Sequence, residues 1–347
     1  MKPDEVRDRC LLALFRSGGV VINLDTGNYF RLDAAAAQIF EVLTDARITD
    51  PTLEIATRLN IQRERAQVEV ADVCAALAVG PARGMPTGPY HFHPDPAGYA
   101  LWHEGKRALI VSGDDFEVAV ATDSDVDVAH SPLLEFYMRA LAPKIMFLRG
   151  LTVIHAAACA NDGVLVAFAG LSGAGKTTTA RAFKAAGATL VSEDLTVLQT
   201  AGRRPAVVLG AEVRVHAWAR KGASELARGA ASISSGELAT MAQGACTELS
   251  ALHFLDAQRR QGTEFQLSAL PAPDALLSLI AHDFLGAASD DGWRRFFATA
   301  VEIASNTILI EATAPRGVES LLTAAKRQMS NWTSYVVPVA ARSPSQA

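Results

Sequence analysis

Residues Gly170, Leu171, Ser172, Gly173, Ala174, Gly175, Lys176 and Thr177 run consecutively, with three glycines and a lysine–threonine pair at the spacing of a nucleotide-phosphate loop. No other feature restricts the fold as strongly, because such a loop works only where a strand delivers it and a helix leaves it. The flanks meet that demand. Val164 to Ala169 is a short apolar run, Lys176 to Ala186 has helical periodicity, and Gly187 stands where a helix cap belongs. The expected fold class is therefore α/β around this loop.

The chemistry follows from the residue types. A nucleoside triphosphate carries several negative charges, and backbone N–H groups at a helix N-terminus can hold them. Gly170, Gly173 and Gly175 let the main chain approach the phosphates, and Ser172, Ala174 and Thr178 complete the loop's lining. Lys176 is expected to reach the β and γ phosphates of ATP, and the Thr177 hydroxyl to ligate Mg²⁺.

A second group must hold the metal or take a proton. Glu193 and Asp194 close the next strand candidate, Thr189 to Val191, which is expected beside the loop's strand. Two adjacent acids there suit a metal ligand and a base toward an attacking hydroxyl. His155 lies in an apolar strand expected over 152–158, next to 164–169. Taken alone, a histidine in such a strand is more often a core group than a catalyst.

The 347 residues exceed what one core usually serves, so two or three domains are expected. Residues 11–32 read as small hairpin strands broken at Ser17, Gly18 and Gly19 and again over Asp25 to Asn28. Helical patterns follow over 34–43, 52–59 and 64–77, and together these predict a winged-helix-like module over residues 1–80. Proline and glycine crowd the stretch 81–96, read as a linker. Beyond it, short strands are expected at 99–102, 108–111 and 117–121, and a helix over 133–147. Later helices are expected near 235–243, 273–284, 292–304 and 317–329, with a strand over 307–311. The catalytic domain is assigned to 97–330 and a loose tail to 331–347.

Composition excludes several partners. The net charge is −5, half of the residues are apolar, and no apolar run approaches a membrane span, so neither nucleic acid nor membrane is an expected partner. The charged N-terminus lacks the layout of a secretory signal, and the expected location is cytoplasmic. Cys10, Cys74, Cys159 and Cys246 are dispersed and read as buried or idle thiols.

The stretch from Leu151 to His155, the segment from Gly163 to Thr177, and the segment from Gly187 to Asp194 resemble the HPr kinase/phosphorylase family. The resemblance implies the P-loop fold shared with ATP-dependent phosphoenolpyruvate carboxykinase. It also implies that Lys176 and Thr177 bind ATP and Mg²⁺, that Asp194 is the metal-side aspartate, and that His155 is an active-site histidine. Glu193 falls where the family has its catalytic aspartate, and the extra methylene displaces a base by about 1 Å, enough to cost about a hundredfold in rate. No counterpart of the HPr-docking segment is present.

Residues 11–78 resemble the PqqD-like modules that bind leader peptides in ribosomal peptide biosynthesis. The likeness rests on Val20 to Asp33, Ala37 to Leu43 and the helix ending near Leu77. The fold class is thus a phosphoenolpyruvate carboxykinase-like P-loop kinase domain with a small α+β, winged-helix-like N-terminal domain. Such a module implies a leader strand added at the hairpin edge. The combined expectation is an ATP-dependent kinase that phosphorylates a Ser/Thr-like hydroxyl on a captured precursor peptide. The alternatives are a small-molecule kinase acting on an amino acid or sugar, and an ATP-binding regulator that transfers nothing. The family's assembly habit makes a homo-oligomer reasonable.

Overall fold

Short-range capping organises the first 78 residues. The Asp33 carboxylate accepts from the Ala36 amide at 2.8 Å and starts helix α2, Ala34–Thr44. Asp50 does the same for Leu53 at 3.0 Å, with Pro51 in the first turn of helix α3, Pro51–Leu59. Asn60 ends α3 in the left-handed region, and helix α4 follows over Arg63–Ala78. Ahead of them, helix α1 (Pro3–Arg9) leads into strands β1 (Cys10–Phe15), β2 (Gly18–Asn23) and β3 (Tyr29–Leu32) of one antiparallel sheet. At Gly18 a side chain is excluded, since an added Cβ would sit 2.2 Å from the Leu32 carbonyl oxygen. Buried Asn23 ties the sheet to α4: its amide donates to the Leu77 carbonyl at 2.9 Å, and its Oδ1 accepts from Asp25 N at 2.8 Å.

The coordinates are a computed structural model that describes residues 3–78, 90–96, 98–103, 105–112, 118–120, 145–146, 151–193, 195–199, 205–208, 212–216, 231–234, 246–257, 262–281 and 290–335. The expected helix near 235–243 and most of that over 133–147 lie outside these residues, as does Asp194. Four strands follow the N-terminal module: β4 (Tyr90–Asp95), β5 (Gly98–His103), β6 (Lys106–Ser112) and β7 (Val118–Val120). β4 occupies the last residues of the stretch read as a linker. It forms a hairpin with β5, a pairing that a proline-rich composition concealed.

The remaining elements are β8 (Thr152–Ile154), β9 (Ala156–Asn161), β10 (Val164–Ala169), α5 (Lys176–Ala186), β11 (Thr189–Ser192), β12 (Thr196–Gln199), β13 (Ala206–Val208), β14 (Glu212–His216) and β15 (Ala231–Ser234). They continue through β16 (Cys246–Leu255), β17 (Gln266–Ala269), α6 (Ala272–Ala281), α7 (Asp290–Asn306), β18 (Ile308–Thr313) and α8 (Val318–Ser330). Two sheets result: a six-stranded one ordered β15-β14-β7-β6-β5-β4, and a nine-stranded one whose main path is β11-β9-β10-β16-β13-β12-β8. In the larger sheet β18 pairs in parallel with β16, and β17 adds antiparallel to β18. No helix among the described residues is long and apolar enough to cross a membrane.

Three expectations need correction. The strand read over 152–158 is broken at His155: β8 pairs with β12, whereas β9 pairs with β10 and β11. The strand that ends before Glu193 is not beside the loop's strand, because β9 lies between β11 and β10. Apolar alternation cannot reveal either fact, since it encodes burial and not neighbours. The tail is not loose at its start: Trp332 is buried and stacks on Phe183 at 4.9 Å between ring centroids.

The N-terminal module also shares a core with the rest of the chain. β2 is buried along its whole length. Val21 faces the module's own core with Phe40, Leu43, Ile55 and Leu77. Val20 and Ile22 join a cluster that holds Leu276 and Leu279 of α6, Trp293 and Phe296 of α7, and Leu165, Ala167 and Ala169 of β10. Two polar contacts flank this seam: Arg31 Nε to Asp274 Oδ1 at 2.7 Å, and Arg294 Nη2 donating to the Asp8 carbonyl at 3.0 Å.

Candidate functional site

β10 delivers its chain into the glycine turn, and α5 leaves it. Gly170 has φ +151°, and an added Cβ would lie 2.7 Å from the Leu255 carbonyl of β16. The glycine is thus required first by the neighbouring strand, whatever ligand the loop takes. Gly175 occupies the N-cap of α5 at φ 90°, a position where most helices place a capping side chain. Ala174 is buried, while Leu171, Ser172, Gly173 and Thr178 are exposed around the turn. Lys176 is buried and its ammonium donates to the carbonyls of Gly170 at 2.9 Å and Leu171 at 3.2 Å. The cation is thereby held inside the curl of the loop, next to the turn it is expected to serve.

The acidic segment is brought to the loop from the far side of β9. The Thr177 hydroxyl donates to the main-chain carbonyl of Glu193 at 3.1 Å. The Glu193 carboxylate itself turns to Arg181, with Nε to Oε1 at 3.1 Å and Nη2 to Oε2 at 2.9 Å. This forked hydrogen bond holds the Glu193 carboxyl below its usual range, against a smaller opposing effect of burial. Arg181 escaped the reading of the sequence. Its signal was its place four residues beyond Thr177, on the same face of α5.

His155 is half-buried at the break between β8 and β9. Strand register fixes what it faces: Ser192 of β11 pairs with Ala158, and Thr196 of β12 pairs with Ile154. Ser192 and Thr196 therefore flank the break at His155 on the neighbouring strands. Hydroxyls lock this crossing, since Thr196 Oγ1 donates to the Ala156 carbonyl at 2.8 Å and lies 2.7 Å from Ser192 Oγ. Both chain segments change neighbours at the same place. The structure so brings Lys176, Thr177, Glu193 and His155 to one end of the sheet.

Cys10, Cys74 and Cys159 are buried thiols outside any disulfide, with burial pushing the Cys159 thiol up to about 12 and the Cys10 thiol up to about 11. The Cys246 side chain lies outside the described residues. Among the described residues no group of three or more His, Cys, Asp or Glu side chains could hold a metal ion. The Thr177 hydroxyl and the Glu193 carbonyl are oxygen donors, the ligand type Mg²⁺ takes, and Asp194 lies outside the described residues.

Comparison with known proteins bears on the other end of the chain. No curated protein matches the sequence. Residues 18–79, which comprise β2, β3 and helices α2 to α4, match the family model for coenzyme PQQ synthesis protein D, PqqD. The N-terminal module is PqqD-like, of the kind that binds precursor peptides in ribosomal peptide modification.

Proposed function

We propose that the chain is an ATP-dependent phosphotransferase acting on a Ser/Thr-like hydroxyl of a precursor peptide captured by the PqqD-like module. One observation carries the reading: the Thr177 hydroxyl donates to the Glu193 main-chain carbonyl, so the helix that leaves the phosphate loop and the acidic residue after β11 lie side by side. The family match at residues 18–79 supports the peptide as acceptor.

In this reading Gly170 to Thr178 cradle the phosphates of ATP, and Lys176 leaves the loop carbonyls for the β and γ phosphates. Thr177 and Asp194 would hold Mg²⁺, which when bound neutralises charge on the transferred group. Glu193 takes the proton of the acceptor hydroxyl as that oxygen bonds to the γ phosphorus, and the bond to the β–γ bridging oxygen breaks to release ADP. For this the Glu193 carboxylate must leave Arg181. The pair is largely solvent-exposed, so its separation costs about 1 kcal/mol or less. His155, at the break flanked by Ser192 and Thr196, is suited to a developing negative charge or to orienting the acceptor.

The Arg181–Glu193 pair also favours a second reading, an ATP-binding regulator in which Glu193 never acts as base. Purified protein, γ-labelled ATP and a synthetic precursor peptide encoded beside this gene separate the two. The kinase reading expects label on the peptide, lost in Glu193→Gln with nucleotide binding retained. Nucleotide binding without transfer to the peptide by the wild type would overturn the peptide-kinase reading and leave the regulator or a small-molecule kinase.

A further inference from the structure

Arg181 lies one helical turn beyond Thr177 on α5, roughly 6 Å along the axis. Side chains on a helix lean toward its N-terminus, so the guanidinium reaches back toward the phosphate loop. There it meets the Glu193 carboxylate through two hydrogen bonds, Nε to Oε1 at 3.1 Å and Nη2 to Oε2 at 2.9 Å. The main-chain carbonyl of the same residue accepts from the Thr177 hydroxyl at 3.1 Å. Thr177 and Arg181 thus hold Glu193 at two points, its backbone and its carboxylate. The second point is open to water, with the Arg181 side chain 65% exposed and that of Glu193 39%. Lys184, exposed three residues further along the helix, adds its positive charge beside this carboxylate.

An arginine fork binds a carboxylate through two parallel hydrogen bonds, and a carboxylate of the substrate fits it as well as that of Glu193. In the peptide-kinase reading Glu193 must leave Arg181 to take the acceptor proton. With a neutral acceptor the guanidinium then surrenders its anion to water. With an acidic acceptor the incoming carboxylate takes the place of Glu193 on the same two nitrogens. We propose that Arg181 is a specificity-determining residue that selects acceptors carrying a carboxylate beside the hydroxyl, and that this carboxylate displaces Glu193 from the fork and releases it toward the acceptor. The exchange needs no vacancy on Arg181, because one carboxylate leaves as another arrives. Reach sets the spacing. Consecutive Cα atoms are about 3.8 Å apart, and the fork lies within about one helical turn of Thr177, so the carboxylate belongs to the residue next to the acceptor or to the chain terminus of an acceptor that is the last residue. The proposal rests on the peptide-kinase reading.

The test measures transfer from γ-labelled ATP to the synthetic precursor peptide in four forms, with Asp or Asn beside the acceptor Ser and with a free or an amidated C-terminus. The wild type should favour a carboxylate-bearing form over its neutral counterpart by about fivefold in kcat/KM, the scale of an exposed ion pair. Whether the preference follows the Asp or the free terminus tells a side-chain carboxylate from a terminal one. Arg181→Gln should bring the ratio to about one, and a general loss of activity does not move a ratio taken on one enzyme. Where that variant is too slow to assay, added NaCl on the wild type decides, since salt shrinks a charge preference and leaves one of shape intact. Equal kcat/KM on all four peptides, a preference that survives Arg181→Gln, or one indifferent to salt would overturn the assignment while transfer itself continues. Label on none of the peptides would bring down the peptide-kinase reading, and the selection with it.

Discussion

His253 sits in the middle of β16, buried beside the loop's strand, edge-on to Phe168 at 5.5 Å. Burial lowers its pKa from the ordinary 6.5 to about 3. In the unfolded chain the imidazole regains its ordinary value, so between pH 6.5 and 3 the unfolded state binds a proton that the folded state refuses. Stability is therefore intact above pH 6.5 and lost progressively as the pH falls. For these two values linkage gives a loss of about 2 kcal/mol between pH 7 and pH 5. His253→Asn retains a polar side chain of similar reach and removes the titration. Urea unfolding, followed by tryptophan fluorescence at pH 7 and pH 5, should show the wild type losing about 2 kcal/mol more than the variant over that interval. Equal losses in the two proteins would refute the assignment of a neutral, desolvated imidazole at this position.

Ile22→Ala should cost about 2–5 kcal/mol and lower the unfolding temperature of the PqqD-like module and the nine-stranded sheet together, because Ile22 packs in the cluster they share; calorimetry should show one shifted transition. Arg181→Ala removes the main cause that depresses the Glu193 carboxyl, so the acid limb of the kcat/KM profile should move to higher pH, a shift read by steady-state kinetics of transfer. Lys176→Ala should weaken nucleotide binding by about 10- to 100-fold, measured by calorimetric titration with Mg-ATP, since a charge-assisted contact contributes about 1.5–3 kcal/mol. Gly170→Ala forces a Cβ onto the Leu255 carbonyl and should lower the melting temperature even without nucleotide, by about 1–3 kcal/mol of strain.

The shared core changes how the peptide module must be tested. Deleting residues 1–80 would uncover Leu276, Leu279, Trp293 and Phe296, which the module's sheet covers, and an inactive truncation would report exposed apolar surface as readily as lost peptide binding. A substitution at exposed Tyr29 of β3, away from the Arg31–Asp274 contact, keeps that surface covered and addresses the peptide.

Local chemistry was legible in the linear chain. Gly187 ended α5, and the glycine turn identified its own strand and helix, because capping and turn geometry depend on residues within a few positions of each other. What lay beyond reach was set by pairing over long separations. That β9 intervenes between β11 and β10, that His155 marks a strand break, and that Glu193 turns its carboxylate to Arg181 all follow from which strands meet. The seam between module and sheet was invisible for the same reason: apolar alternation in β2 declares that Val20 and Ile22 are covered, and only the tertiary fold decides that α6 and α7 cover them.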